Sequence, residues 1–193
     1  GPGHRGRGGG QGGWVRWGWM RMVLEDCECD VDGLYPPDFD SVDRPQYDVL
    51  GFEDGAIPEM RDDDSGGRGG RRGPDPSTVP DEYRGRMGSI SRDGTVPKIL
   101  DYVRNGGAAI TIGTSASLAH YAGLPVSNHL LENGSHLARE QYFTPGSVLD
   151  MKIEHGSPLT HGFGERVNVL FSHSPTFTLD AGAEAQGVRR IGW

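Results

Sequence analysis

The stretch that most narrows what this chain can fold into runs from 95 to 124. TVPKILDYVRNGG (95–107) places Val96, Ile99, Leu100 and Val103 on one helical face. Asn105-Gly106-Gly107 supplies the stop, because glycine takes up the left-handed conformation that ends a helix without steric penalty. AAITIGT (108–114) is then a continuous apolar strand, and SASLAHYAGL (115–124) reads as a second helix. Upstream, YDVLGFEDGAIP (47–58) is a short apolar run ending in Asp-Gly, a buried strand leading into a loop. Strand, helix, apolar strand, helix is the pattern of a parallel sheet covered on both faces, with 108–114 as a covered central strand. SVLDMKIE (147–154), RVNVLF (166–171) and GVRRIGW (187–193) read as further strands between Gly/Pro loops.

The rest of the chain divides by texture. Of the 32 glycines, eight fall in residues 1–13 and five in 66–73. Residues 1–12 are therefore a low-complexity Gly/Arg tail. Residues 13–193 form one α/β domain, of a length suited to a single substantial core. From Gly13 to Glu28, Val15, Trp19, Met22 and Val23 recur at helical spacing. YPPDFDSVDRP (35–45) is a proline-punctuated loop. Residues 61–80 hold almost nothing to bury and are expected to be a flexible Gly/Asp/Arg loop.

Charge is segregated within a net of −8. Residues 1–22 carry four Arg and no acid, whereas 23–64 carry fifteen Asp/Glu against Arg44 and Arg61. A chain with this acidic balance is not expected to bind nucleic acid. Cys27 and Cys29 are too close in sequence for a good mutual disulfide and have no further zinc ligands beside them, so they read as buried or incidental thiols. No apolar run reaches the length of a membrane span, and the N-terminus shows no signal-peptide core.

One constellation has chemical promise. Gly113-Thr114-Ser115-Ala116-Ser117 sits where a buried strand turns into a helix, and ligands of doubly wound sheets bind at such turns. A serine there has the layout of a nucleophile elbow, G-x-S-x-G, although the last glycine is Ser117 here. Ser115 is thus the catalytic candidate, with its hydroxyl expected at the exposed rim. Thr114 or Ser115 equally serves as a helix N-cap, which needs no chemistry. An anion- or ligand-binding turn is the third possibility, with Asp54, Gly113, Thr114 and Ser115 as its candidate residues. Asp54 either faces the same cleft or caps its own Asp-Gly turn. The base a serine nucleophile needs is not singled out among His120, His129, His136, His155, His161 and His173.

Metal binding fares poorly. His129-Leu130-Leu131-Glu132 has the H-x-x-E spacing of two zinc-carboxypeptidase ligands, but too little chain follows for the distant third histidine. His155, His161 and His173 read as scattered loop histidines, so no metal ligands are assigned. Asn133-Gly134-Ser135 matches a glycosylation sequon by pattern alone.

Several phrases occur together in a telling order. They are Tyr47-Asp48-Val49-Leu50 with Asp54-Gly55-Ala56-Ile57-Pro58, then Glu82-Tyr83-Arg84-Gly85-Arg86, VRNGGAAITIGTSASLAHYAGLPV (103–126), YFTPGSVLDMKIEHGSPLTHGF (142–163), Ser174-Pro175-Thr176-Phe177 and Gly187-Val188-Arg189. In this order the chain resembles the C-terminal region of bacterial zinc carboxypeptidase-like (carboxypeptidase A-type) metallopeptidases, a class I glutamine amidotransferase-like domain. The resemblance implies a flavodoxin-like, doubly wound, mainly parallel sheet. Ser115 stands where a working amidotransferase has Cys, so glutamine hydrolysis is not expected. It further implies a copy truncated at both ends: a first strand is missing ahead of the Gly13-Trp14 helix, and family elements continue past Trp193. Zinc would belong to an upstream peptidase domain, and this chain would hold no cofactor. Its partners would be that peptidase domain and a peptide or small-molecule ligand. The parent protein would be extracytoplasmic.

Overall fold

The computed structural model describes residues 5–8, 14–40, 46–60, 76–132, 135–138, 140–144, 146–172 and 174–193. By its internal contacts the chain divides into two compact units, Gly1–Leu118 and Ala119–Trp193.

The first unit is built on four strands, β1 (Arg5–Gly8), β2 (Val31–Leu34), β3 (Val49–Phe52) and β4 (Ala108–Thr111), in the spatial order β2-β1-β3-β4. All three pairings are parallel. β1 supplies a strand ahead of the helix that starts at Trp14, where the resemblance implied that one is missing, and it lies within the low-complexity Gly/Arg segment. Arg5 stands in register with Val31 on one side and Val49 on the other, and Gly8 with Leu34 and Phe52. RGRG has no apolar residue and no alternation to read. Its place in the sheet comes from backbone N–H and C=O groups, which pair whatever the side chains are. The rest of the expected tail, 1–4 and 9–12, lies outside the described residues. β2, with Asp and Gly inside it, was equally hidden between the expected helix and loop.

Helix α1 (Trp14–Asp26) fills the segment expected to be helical. Its apolar side is turned differently, however. Met20 and Leu24, one turn apart, are half-buried, whereas Trp19, Met22 and Val23 are exposed. The proline-rich segment is not a plain loop, since Pro36–Asp40 forms a 3-10 turn. That turn buries Phe39 completely, with its ring centroid 6.0 Å from that of Phe52. Of the flexible loop expected over 61–80, residues 61–75 lie outside the described residues, and Pro76–Thr78 forms a short 3-10 turn. The one-turn helix α2 (Asp81–Arg84) follows.

Helix α3 (Thr95–Arg104) ends as its sequence requires. Gly106 (φ +99°) donates to the Val103 carbonyl and Gly107 to that of Tyr102, the paired bonds of a Schellman stop. The buried face is Val96, Ile99 and Tyr102, and Val103 is exposed, a shift from the face expected. Tyr102 turns inward because its hydroxyl donates to the Tyr47 carbonyl over 2.9 Å. Burial raises its pKa above the ordinary tyrosine value.

β4 is not a central strand. It lies at the edge of its sheet, and alternate residues face outward, with Ile110 58% exposed. A continuous apolar run cannot distinguish a strand covered on both faces from one covered on a single face.

The second unit begins in the short helix α4 (Leu118–Tyr121), reached through a 3-10 turn at Gly113–Ser117, so the helix expected over 115–124 is largely irregular. Its strands are β5 (Val126–Asn128), β6 (Leu131–Glu132), β7 (Ser135–His136), β8 (Ser147–Lys152), β9 (Arg166–Phe171) and β10 (Phe177–Leu179). They form three antiparallel pairs, β5 with β10, β6 with β7 and β8 with β9. The strand expected at 187–193 shrinks to a bridge between Gly192 and Ile153, with reciprocal bonds between Lys152 and Trp193. Val188 is drawn into a turn by the Ala183 carbonyl, so pairing starts only at Ile191.

Candidate functional site

β3 and β4 run side by side with Phe52 opposite Thr111, so the turns that follow them are neighbours. The Glu53-Asp54-Gly55 turn meets Gly113-Thr114-Ser115 there. The amide of Ile112 first extends the ladder by donating to the Phe52 carbonyl over 2.9 Å. Side chains then take over. Asp54 Oδ1 accepts from the Thr114 amide (2.8 Å) and from the Thr114 hydroxyl (2.9 Å). Thr114 Oγ1 accepts in turn from the Gly55 amide at 3.0 Å. Of the two sequence readings of Asp54, these contacts fit the one that turns it toward the shared cleft, where its carboxylate holds the opposite turn.

Gly113 permits that closeness. Its φ of +61° is left-handed, and a β-carbon there would collide with the Asp54 carboxylate.

Ser115 corrects the expectation of a rim-exposed hydroxyl. It is completely buried. Its hydroxyl donates to the Glu53 carbonyl over 2.5 Å and accepts from the Ile57 amide at 3.0 Å. Both partners are backbone groups, and neither is a histidine. A base that would take the Ser115 proton has to displace the Glu53 carbonyl first. The hydroxyl therefore works as a bolt between two chain segments. Neighbouring Ser117 reaches the Pro58 carbonyl at 3.4 Å, a weaker version of the same contact.

The four candidate residues are therefore brought together, on two levels. Asp54, Gly113 and Thr114 are partly exposed and form the rim with exposed Gly55, while Ser115 lies beneath. Sequence reading missed Glu53, which is buried at the base of the turn with its carbonyl serving Ser115. Nothing in Glu-Asp-Gly distinguishes a buried acid from a solvated one. The single clue was its place directly after a strand.

The other polar candidates lie in the second unit. His129 Nδ1 is 3.5 Å from Thr178 Oγ1, and the His120 ring packs edge-on to Phe177 with centroids 5.5 Å apart. Glu132 is exposed in β6. Among the described residues no three His, Cys, Asp or Glu gather closely enough to hold a metal ion. His173 and Asn133 lie outside the described residues. No described helix is long and apolar enough to cross a membrane.

No protein-family model and no curated protein matches the chain. A solved structure does: a protein of Thermoplasma acidophilum described as a candidate component of GMP synthase, with a TM-score of 0.52 and 15% identity over 91% of this chain and 67% of that one. At that identity the likeness is one of fold. This chain shares with that structure a flavodoxin-like, mainly parallel α/β fold.

Proposed function

We propose that this chain is a non-catalytic accessory module, the amidotransferase-like domain of a zinc carboxypeptidase-like protein whose separate peptidase domain hydrolyses peptides. The observation that carries the reading is the Ser115 hydroxyl, buried and committed to the Glu53 carbonyl and the Ile57 amide. An amidotransferase needs a reactive thiolate at this turn, and a serine hydrolase needs an exposed hydroxyl with a base beside it. Ser115 offers neither. The ordered phrases from Tyr47 to Arg189 support the carboxypeptidase context.

In that context zinc belongs to the peptidase domain and this chain needs no cofactor. The rim of Asp54, Gly55, Gly113 and Thr114 is the place to meet a peptide or small molecule, being the carboxyl end of two adjacent parallel strands. A small-ligand module at this rim is the second reading, favoured by the partial exposure of Asp54.

The test is chemical. The purified chain is expected to resist a fluorophosphonate probe and to release no ammonia from glutamine. It is also expected to bind no stoichiometric zinc and to free no C-terminal amino acids. Labelling that disappears in Ser115→Ala, or zinc-dependent peptide trimming by this chain alone, would end the proposal. A thermal shift with peptide that Asp54→Asn removes would favour the ligand module.

A further inference from the structure

Arg21, Arg84, Arg104 and Arg166 each pair with a carboxylate. Arg86 is held differently. Its guanidinium carbon lies over two tyrosine rings, 5.1 Å from the centroid of Tyr35 and 5.4 Å from that of Tyr83. One of its five N–H groups is bonded to an oxygen, the Tyr35 hydroxyl at 3.4 Å. Among the described residues no carboxylate is within ion-pair reach of it, and the side chain is exposed. The backbone fixes this arrangement from both sides. The Tyr35 amide donates to the Asp38 carboxylate over 2.9 Å, and the Arg86 amide to the Tyr83 carbonyl over 3.0 Å. Gly88 sits so close to Pro36 and Pro37 that an added β-carbon would be 3.1–3.3 Å from their rings. The guanidinium is thus oriented before any ligand arrives, while most of its donors remain unused.

We infer that Arg86, with Tyr35 and Tyr83, receives the carboxylate of a peptide. A planar fork of N–H donors matches the two oxygens of a carboxylate. One guanidinium also balances one negative charge. Arg84, two residues away, is committed to Asp81, and Asp38 and Glu82 add negative charge beside the two tyrosines. A phosphate dianion would find no second cation there and would meet more repulsion than a carboxylate does. The rings offer apolar surface to the side chain next to that carboxylate. The position suits a ligand as well. Tyr35 directly follows β2, as Glu53-Asp54 follows β3 and Ile112-Gly113 follows β4, so the cluster and the Asp54–Thr114 rim lie at the same, carboxyl end of one parallel sheet. The inference deepens the peptide-ligand part of the proposed function and rests on it.

NMR titration of the whole chain tests it, with acetyl-Ala-Ala-Leu as the free acid, the same peptide as its C-terminal amide, and inorganic phosphate. The free acid is expected to bind, and the amide to bind about tenfold more weakly or worse. Arg86→Gln should bring the acid down to the level of the amide. Arg86→Lys, which keeps the charge but loses the fork, should fall between. The comparison of acid with amide is made on the wild type, so it does not depend on how any variant folds. Equal binding of acid and amide would overturn the inference and leave the peptide reading standing. Binding of neither would remove both. A preference for the acid that survives in Arg86→Gln would place the carboxylate elsewhere, and phosphate binding more tightly than the acid would make this a phosphate receptor; either result overturns the inference.

Discussion

β3 and the β8–β9 hairpin are made from the same kinds of residue and meet opposite fates. In β3 (Val49–Phe52), Leu50 and Phe52 are completely buried. In the hairpin, Val148 and Leu170 stand directly opposite each other and are 68% and 76% exposed. The difference is not hydrophobicity. β3 has a parallel neighbour on each side, β1 and β4, and Phe39 against its last residue. Among the described strands β8 and β9 pair only with each other, with Trp193 reaching β8 at Lys152 alone, and Val148 and Leu170 stand on an exposed face. Burial is conferred by a second layer, and a strand's own sequence does not say whether that layer exists.

The strongest way to break the contrast is to empty the buried side. Phe52→Ala removes a fully buried ring packed on Phe39 and is expected to cost about 3–5 kcal/mol in urea unfolding. A loss below about 1 kcal/mol would mean that β3 is no better covered than the hairpin. Next in size is Gly113→Ala. It forces a left-handed backbone on a residue with a β-carbon, at about 1–3 kcal/mol, and pushes the Asp54 carboxylate off Thr114. Asp54→Ala removes the carboxylate but keeps the β-carbon, which the new methyl would meet at 2.7 Å, so the clash is only partly relieved; both changes lose the same Asp54–Thr114 bonds, and together they should cost less than the two single losses combined.

This contrast also marks how much the sequence could disclose. The α3–β4 passage was legible because helix period, glycine stop and apolar run all fall in one stretch, and each depends on near neighbours alone. The hairpin strands were legible for the same reason, with β9 spanning 166–171 as its apolar alternation predicts. What stayed hidden depends on distant partners. β1 is a strand because Val31–Leu34 and Val49–Phe52 flank it, and RGRG has no signal of its own. The outward side of β4 and the inward turn of Tyr102 are likewise decided by the layer or carbonyl opposite. In the site, the meeting of Asp54 with Thr114 spans sixty residues of sequence. The residues could be nominated from their turns, but the depth of Ser115 could not. A hydroxyl at a strand–helix turn looks the same in sequence whether it faces solvent or the next turn.

Ser115→Ala sharpens that last point at an intermediate size. It leaves the Ile57 amide and the Glu53 carbonyl without their buried partner, at about 1–3 kcal/mol. Thr114→Val acts at the partly exposed rim, where water replaces the lost bonds to Asp54 and Gly55 more readily, and should cost less. If the two rank the other way, Ser115 is more accessible than its geometry indicates, and its hydroxyl regains interest as a reactive group.

The smallest expected effect is on the open side of the comparison. Leu170→Ser removes a side chain that is three-quarters exposed, so little apolar area returns to water on unfolding. Its cross-strand pairing with Val148 is the packing at risk, and such pairs contribute about 0.2–1 kcal/mol. The expected change in unfolding free energy is about 0.5 kcal/mol or less, with Val148→Ser alike and the double variant no worse than either alone, because the second change has no contact left to remove. A loss of about 2 kcal/mol or more, on the order of a buried-leucine truncation, would mean that this face is covered in solution. The hairpin would then belong with β3, and the absent layer would be the thing to identify.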